Sequence, residues 1–136
     1  MQQRELYREG PVNIPTNLTF SGTGETMAAT AIDLSGSGIR IILNHLLFIY
    51  PKLNVRVKFQ LNDLGFNHEF EIEGTIMRTG ECRFQKFTRT WLAIEFDLDS
   101  LGQAIQEEII RYIFKHQLRR LKQRSERRQD DILYAA

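Results

Sequence analysis

Apolar and polar residues alternate over most of the first two thirds of the chain, the pattern of strands with one buried face. The clearest run is 55–61, where every second residue is Val, Phe or Leu and the intervening ones are charged or amides. Turn-forming residues such as those at 21–24 separate the runs. The predicted inward faces are Val12, Ile14, Leu18, Phe20; Ala28, Thr30, Ile32, Leu34; Ile39, Ile41, Leu43; Val55, Val57, Phe59, Leu61; Phe70, Ile72, Gly74, Ile76; and Leu92, Ile94, Phe96.

After residue 98 the hydrophobic period becomes helical. Ser100 and Gln103 have the spacing of a capping box, and an apolar stripe follows that can lie across a barrel. The predicted fold class is mainly β: a six-stranded antiparallel β-barrel, which leaves no open edges, with a long C-terminal α-helix. The predicted segments are an N-terminal arm at 1–10, the barrel at 11–98, the helix at 99–124 and a flexible tail at 125–136.

The size and charge of the chain narrow its possible functions. Its 136 residues suit one domain, and a net charge of +1 argues against general nucleic-acid binding and DNA in particular. The lone Cys82 excludes an intramolecular disulfide and is compatible with a reducing compartment. The apolar run at 46–50 is too short to span a membrane, and the N-terminus lacks a signal-peptide core. We therefore expect a cytoplasmic protein without membrane insertion.

The far end of the predicted helix is basic, and two interpretations remain open. Cations near a helix C-terminus complement its dipole, so the first is a solvated charged face. The second is an electrostatic contact with an acidic partner surface. The basic residues are Lys115, Arg119, Arg120, Lys122, Arg124, Arg127 and Arg128.

Two short motifs carry the candidate chemistry, Arg4-x-x-x-Arg8 and Asp33-x-Ser35-x-x-Gly38. A guanidinium fork can meet the O6 and N7 acceptors of guanine or pair bidentately with phosphate oxygens. The opposite edge of guanine carries N–H donors, which an ionised Asp and a Ser hydroxyl can accept. Each motif alone also has a plain interpretation, a solvated terminus for the arginines and a structural turn for the second motif. Together they predict a site for a guanine-bearing anion.

In this order and spacing the two motifs resemble those of the PilZ domain family, whose members bind cyclic di-GMP. The resemblance implies that Arg4 and Arg8 hold guanine and phosphate, while Asp33, Ser35 and Gly38 contact the other guanine edge. It also implies that Gln3 influences how many ligand molecules stack. One departure is Ala93, where many relatives have Gly three residues before a Phe, here Phe96. A methyl group there would crowd a ligand that passes close to the backbone.

The remaining chemistry-bearing residues do not form a recognisable reactive set. The three histidines, His45, His68 and His116, have no metal-ligand spacing, so we expect no metal. Asp97–Ser100 is expected to end a strand and cap a helix. Ser35 has no neighbouring base, and we expect no catalytic residue and no enzyme. Trp91 is expected to cover a surface patch, with base stacking as the alternative.

The predicted mechanism is a switch in which the N-terminal arm orders around the ligand and changes a surface that a protein partner contacts. The long helix with its basic end is similar to that of flagellar-brake relatives, which implies a partner in the flagellar motor or, as in cellulose-synthase relatives, in polysaccharide synthesis. Two alternatives stay open. The first is a degenerate PilZ-like domain that binds protein without nucleotide, and the second is a small barrel that binds single-stranded nucleic acid.

Overall fold

The computed structural model describes residues 8–9, 13–62 and 65–135. Within these ranges, seven strands precede two helices. The strands are β1 (Arg8–Glu9), β2 (Ile14–Phe20), β3 (Thr26–Ser35), β4 (Gly38–Leu43), β5 (Asn54–Leu61), β6 (His68–Phe84) and β7 (Phe87–Phe96). The helices are α1 (Leu98–Leu101) and α2 (Gln103–Ala135).

Six of the strands close into an antiparallel barrel, which confirms the predicted fold class. The order is β3-β2-β5-β6-β7-β4, and β4 pairs back onto β3 to complete the circle. The short strand β1 adds to β3 beyond the end of β2, on the same edge. Closure leaves no long unpaired edge among the six strands, and their inward side chains form one hydrophobic core.

Most of the predicted inward faces are buried as expected, although Val12 lies outside the described residues and the face predicted for β3 is wrong. Ala29 and Ala31 point into the core, whereas Ala28 is exposed. The pairing of β3 with β4 shifts register between Ala31 and Asp33, and this bulge reverses the alternation. Leu34 is therefore buried as predicted, although it does not share a face with Ala28.

The hairpin of β6 and β7 is much longer than the sequence pattern indicated. The alternation predicted a strand near 70–76, but β6 continues to Phe84 and pairs with β7 from Phe87 onward. The turn consists of Gln85 and Lys86, which have φ of 53° and 71°. Such two-residue turns usually carry Asn-Gly or a similar pair, so this sequence gave no turn signal.

The helical region begins at Asp97, which confirms the capping role expected of 97–100. The prediction that Ser100 and Gln103 form a capping box is wrong. Asp97 is the N-cap of α1, and its carboxylate accepts from the backbone N–H of Asp99 at 3.2 Å. Gly102, with φ of 80°, then separates α1 from α2, so Ser100 lies inside α1 instead of capping the long helix.

Helix α2 lies against the barrel through the predicted stripe and extends further than predicted. Ile109, Tyr112 and Ile113 are buried, and Ile105 packs at the edge of the core. The helix continues through 124 to Ala135, because no Gly or Pro occurs after Gly102 to stop it. The flexibility expected of 125–136 stays a prediction. Among the described helices, none is long and apolar enough to cross a membrane.

Candidate functional site

The centre of the candidate site is the tight connection between β3 and β4, which the Ser35 hydroxyl group closes. The backbone N–H groups of Gly38 and Ser37 donate to Ser35 Oγ at 3.0 and 3.3 Å. The same hydroxyl donates to the Gly38 carbonyl at 3.2 Å. Ser35 is 4% exposed, so its side chain serves the turn itself in this state.

Asp33 reaches the outer surface because of the bulge in β3. Regular alternation from Ala31 would turn Asp33 into the core, but the register shift between them directs it outward. The carboxylate lies 3.8 Å from the guanidinium of Arg40, its cross-strand neighbour on β4. The Asp33 side chain remains 18% exposed, which leaves part of this acceptor accessible from solvent.

The last residue of the arginine motif lies on the strand next to the Asp-x-Ser motif. Strand β1 runs antiparallel to β3 with Arg8 opposite Ser35 and Glu9 opposite Leu34. Arg8 thus lies beside β3, although it is far from Ser35 in sequence. For Arg8 the structure describes the backbone, and Arg4 lies outside the described residues.

Arg40 and Trp91 extend this surface, and the sequence analysis did not identify Arg40. Its guanidinium carbon lies 5.3 Å from the centre of the Trp91 ring, within cation–π range. Arg40 alternates with the buried Ile39 and Ile41, a signal from which its outward direction was predictable. Trp91 also packs against Gly80, where an added Cβ would lie 2.7 Å from the indole Nε1. The expected role of Trp91 as a surface cover agrees with this contact.

Helix α2 touches the β3–β4 turn directly. The side-chain amide of Gln106 donates to the Gly36 carbonyl at 3.2 Å. A Cβ added to Gly36 would lie 2.9 Å from Ile110 Cγ1, so only glycine lets the helix approach this closely. The candidate site and the long helix therefore share one contact point.

Ala93, the departure from the family pattern, lies beside this site but is covered. It pairs with Arg40 on β4 and is 4% exposed. Because Arg40 faces outward, this pairing places Ala93 on the outer face of the barrel, between the core residues Leu92 and Ile94. The crowding of a ligand by its methyl group stays a prediction.

The described side chains of this site offer groups that can bind a ligand. Asp33 offers a carboxylate acceptor, Arg40 a planar donor fork and Trp91 an aromatic ring, all suited to a planar polar ligand. Within the described residues, no group of three or more His, Cys, Asp or Glu side chains is placed to hold a metal ion. Among the residues that the structure describes, the Ser35 hydroxyl bonds to the turn backbone and contacts the Ser37 hydroxyl at 3.5 Å.

Comparison with known proteins finds one matching family. The sequence model of the PilZ domain matches residues 2–115. No curated protein matches the chain in sequence.

Solved structures with the same fold are distant in sequence. The PilZ domain of YcgR from Escherichia coli, solved with c-di-GMP, is 15% identical with a TM-score of 0.70, over 92% of this chain and 98% of that one. The Bacillus subtilis inhibitor of motility MotI (DgrA) is 16% identical with a TM-score of 0.69, over 88% of this chain and 52% of that one. The PilZ domain of CeSA from a cellulose-synthesizing bacterium is 15% identical with a TM-score of 0.55, over 81% of this chain and 97% of that one. The chain thus spans about half the length of the B. subtilis protein.

Proposed function

The chain belongs to the PilZ domain family, and on that premise we propose that it is a receptor for cyclic di-GMP. The proposed ligand-binding residues are Arg4, Arg8, Asp33, Ser35 and Gly38. The receptor acts by binding and not by catalysis, because the site combines acceptors and donors without a nucleophile–base pair. It requires no metal.

One observation carries this proposal, the pairing of Arg8 with Ser35 between β1 and β3. This pairing puts the backbone of Arg8 on the strand beside the one that carries the outward-facing Asp33. A purine held there can meet an acceptor on one edge and a guanidinium fork on the other, the combination that distinguishes guanine. The doubly anionic ligand also favours a site with arginines.

In the proposed complex the residues contact different parts of the ligand. Asp33 accepts from the N–H edge of guanine, and Arg4 and Arg8 bind the Hoogsteen edge and phosphate oxygens. In the structure the Asp33 carboxylate lies 3.8 Å from the Arg40 guanidinium. Such a long ion pair contributes little free energy, so a guanine edge can replace it at small cost in free energy. Gly38 allows the backbone of the turn to lie close to the ligand.

The output follows from the contact between the turn and helix α2. Arg8 already pairs with Ser35, so ligand binding fixes Arg4 over the site, at a cost of about 1–2 kcal/mol for each residue that is fixed. The same turn touches Gln106 and Ile110 through Gly36, so the bound arm alters the surface between the barrel and the helix. A cytoplasmic protein partner binds this altered surface. A structural relative named as an inhibitor of motility makes motility control the process we favour, and one from a cellulose-synthesizing bacterium makes polysaccharide synthesis the second.

Calorimetric titration with cyclic di-GMP tests the proposal. The variants are Arg8→Ala and Asp33→Ala, and the matched control is Arg56→Ala, an exposed arginine on β5 that pairs with Glu71 and Glu73. Loss of one bidentate contact is worth about 1–3 kcal/mol, which is an affinity loss of ~5–150-fold. GTP and cyclic di-AMP should not compete.

Two results would overturn the receptor proposal. If the wild-type chain does not bind cyclic di-GMP, the alternative of a PilZ-like domain that binds only protein replaces it. If Arg56→Ala lowers affinity as much as Arg8→Ala, binding reflects overall charge and not this site. A steep salt dependence of RNA binding would then favour the single-stranded nucleic-acid alternative.

A further inference from the structure

Large apolar side chains are exposed at the end of the barrel opposite the β3–β4 turn, where β4 ends and β7 begins. In the loop between β4 and β5, Leu46, Phe48 and Tyr50 are 52%, 84% and 66% exposed. Phe87, the first residue of β7, is 65% exposed at the same end. We call these four residues the apolar tip. Exposed apolar groups of this size that cluster on one side of a protein usually mark an interaction surface.

Hydrogen bonds join the β4–β5 loop to the β6–β7 hairpin, so the apolar tip is one surface. The Thr90 hydroxyl donates to the Leu47 carbonyl at 2.7 Å and accepts from the Leu47 N–H at 2.8 Å. The Arg89 guanidinium donates to the Asn44 side chain at 3.2 Å and lies 5.6 Å from the centre of the Phe87 ring. Arg89 thus connects the loop with the aromatic end of the hairpin.

The exposure of the loop side chains follows from the way the loop is anchored. Ile49 is 8% exposed and belongs to the core, so its neighbours Phe48 and Tyr50 turn outward. Their two rings pack edge to face with their centres 5.0 Å apart. Because the backbone beneath them is held by Thr90, these side chains cannot fold back into the core.

The charges around the apolar tip indicate an anionic partner. Residues 43–53 and 82–90 contain no Asp or Glu, although the chain has 17 of these residues. The cations of the two segments are Lys52, Arg83, Lys86 and Arg89, and His45 adds a charge when it is protonated. At the margins, Arg78 and Glu81 lie further along β6, and Glu25 lines the cleft between the β2–β3 turn and Tyr50. Cations therefore outnumber carboxylates at this end of the barrel.

An anionic lipid surface fits this combination better than a nucleic acid or a protein. Leu46 and Leu47 expose aliphatic carbon, which cannot stack on bases, whereas the bilayer interface accepts aliphatic and aromatic side chains alike. Tyr50 combines an apolar ring with a hydroxyl, the type of side chain that is enriched at the level of the headgroups. A fluid surface also fits a protruding tip without a preformed complementary pocket, which a protein partner needs.

We propose that this end of the barrel docks on a bilayer that contains anionic phospholipids. The side chains of the apolar tip enter the interface, and the four surrounding cations contact headgroup phosphates while their stems lie along the apolar groups. Only side chains enter, so no segment spans the bilayer. The β3–β4 turn lies at the other end of the barrel, so docking goes beyond the proposed nucleotide binding and does not require it.

Co-sedimentation with lipid vesicles tests the docking. The vesicles are phosphatidylcholine alone or with about 30% phosphatidylglycerol, at an ionic strength of about 0.1 M. The wild type should bind the anionic vesicles at least ~10-fold more tightly, because the cations gain only there. Phe48→Ser should lower this binding by about 10-fold. Phe114→Ser is the matched control, since Phe114 is 55% exposed on α2, and it should bind like the wild type.

A second pair of variants tests the charges. Lys86→Gln should weaken binding to the anionic vesicles by about 5-fold, because one cation near the surface is lost. Lys58→Gln removes the same charge on β5, where Lys58 pairs with Glu69 at 2.9 Å, and should have no effect. Circular dichroism checks that each variant remains folded.

Three results would overturn the proposal. The first is a wild type that does not bind anionic vesicles, or binds both kinds equally. The second is a loss in Phe114→Ser or Lys58→Gln equal to that of its partner variant, which would mean that the apolar tip is not the contact. The third is single-stranded RNA that displaces the vesicles and binds Phe48→Ser as well as the wild type, which would identify a nucleic-acid surface instead.

Discussion

Gly36 and Ile110 join the β3–β4 turn to the long helix, with no room between them for a side chain. A Cβ on Gly36 would lie 2.9 Å from Ile110 Cγ1 and 3.1 Å from Cδ1. The φ of Gly36 lies outside the positive region, so close approach and not backbone conformation requires glycine here. This contact is where a change at the candidate site can reach the helix.

Gly36→Ala should therefore lower the free energy of unfolding by about 1–3 kcal/mol, because the helix or Ile110 must move. Ile110→Ala removes the opposing atoms, and the double variant should recover part of the loss. Urea unfolding of the two single variants and the double variant measures this coupling. Additive effects would mean that the new methyl group is accommodated elsewhere.

Ser35→Ala should destabilise the protein by about 1–2 kcal/mol, because the backbone N–H of Gly38 loses its acceptor at a buried position. Ser37→Ala is the matched control. Its hydroxyl makes only a 3.5 Å contact with Ser35, so its effect should stay within about 0.5 kcal/mol. Equal losses in the two variants, measured by chemical denaturation, would contradict the role assigned to the Ser35 hydroxyl.

Gly80→Ala should move the indole of Trp91, since the added Cβ would lie 2.7 Å from Nε1. Trp91 is the only tryptophan, so its fluorescence reports the change without interference. We expect emission at longer wavelength as the ring becomes more exposed, and a stability loss of about 1 kcal/mol. Gly22→Ala, where no atom lies within 4 Å, should leave the emission unchanged. An unshifted spectrum in Gly80→Ala would refute this packing.

Lys86→Gly should stabilise the β6–β7 hairpin by about 0.5–1 kcal/mol and raise Tm by about 2–4 °C. Lys86 has φ of 71°, a left-handed conformation that glycine adopts without a Cβ penalty. Thr88→Gly, in the extended part of β7, is the control and should lower Tm. Differential scanning calorimetry decides between these outcomes, and a lower Tm for Lys86→Gly would contradict the turn assignment.

The alternation of side chains was sufficient to predict the barrel where strands are regular. Val57 and Phe59 in β5 and Ile72 in β6 are buried as expected, because strict period-two patterning leaves one possible inward face. The apolar stripe of Ile109, Tyr112 and Ile113 was predictable because their spacing places them on one side of a helix. Phe114, Leu118 and Leu121 also follow at helical spacing, but only the structure shows that their side chains are exposed.

Irregularities were not predictable from local pattern, because they depend on the partner strand or on an unusual turn. The bulge between Ala31 and Asp33 exists only in relation to β4. The turn at Gln85 and Lys86 has left-handed backbone angles but lacks the Asn-Gly or Asp-Gly pair that usually predicts such a turn. The break at Gly102 separated α1 from α2, where the sequence indicated one helix with a capping box.

For the candidate site, the sequence by itself determined which chemical groups the two motifs contain and how far apart they lie along the chain. Only the tertiary structure decided that Arg8 lies opposite Ser35, that Asp33 points outward and that Arg40 lies beside it. The reason is physical: residue types set the available donors and acceptors, while strand register across a closed barrel sets which of them meet. Register is a property of pairs of strands, and no single segment contains it.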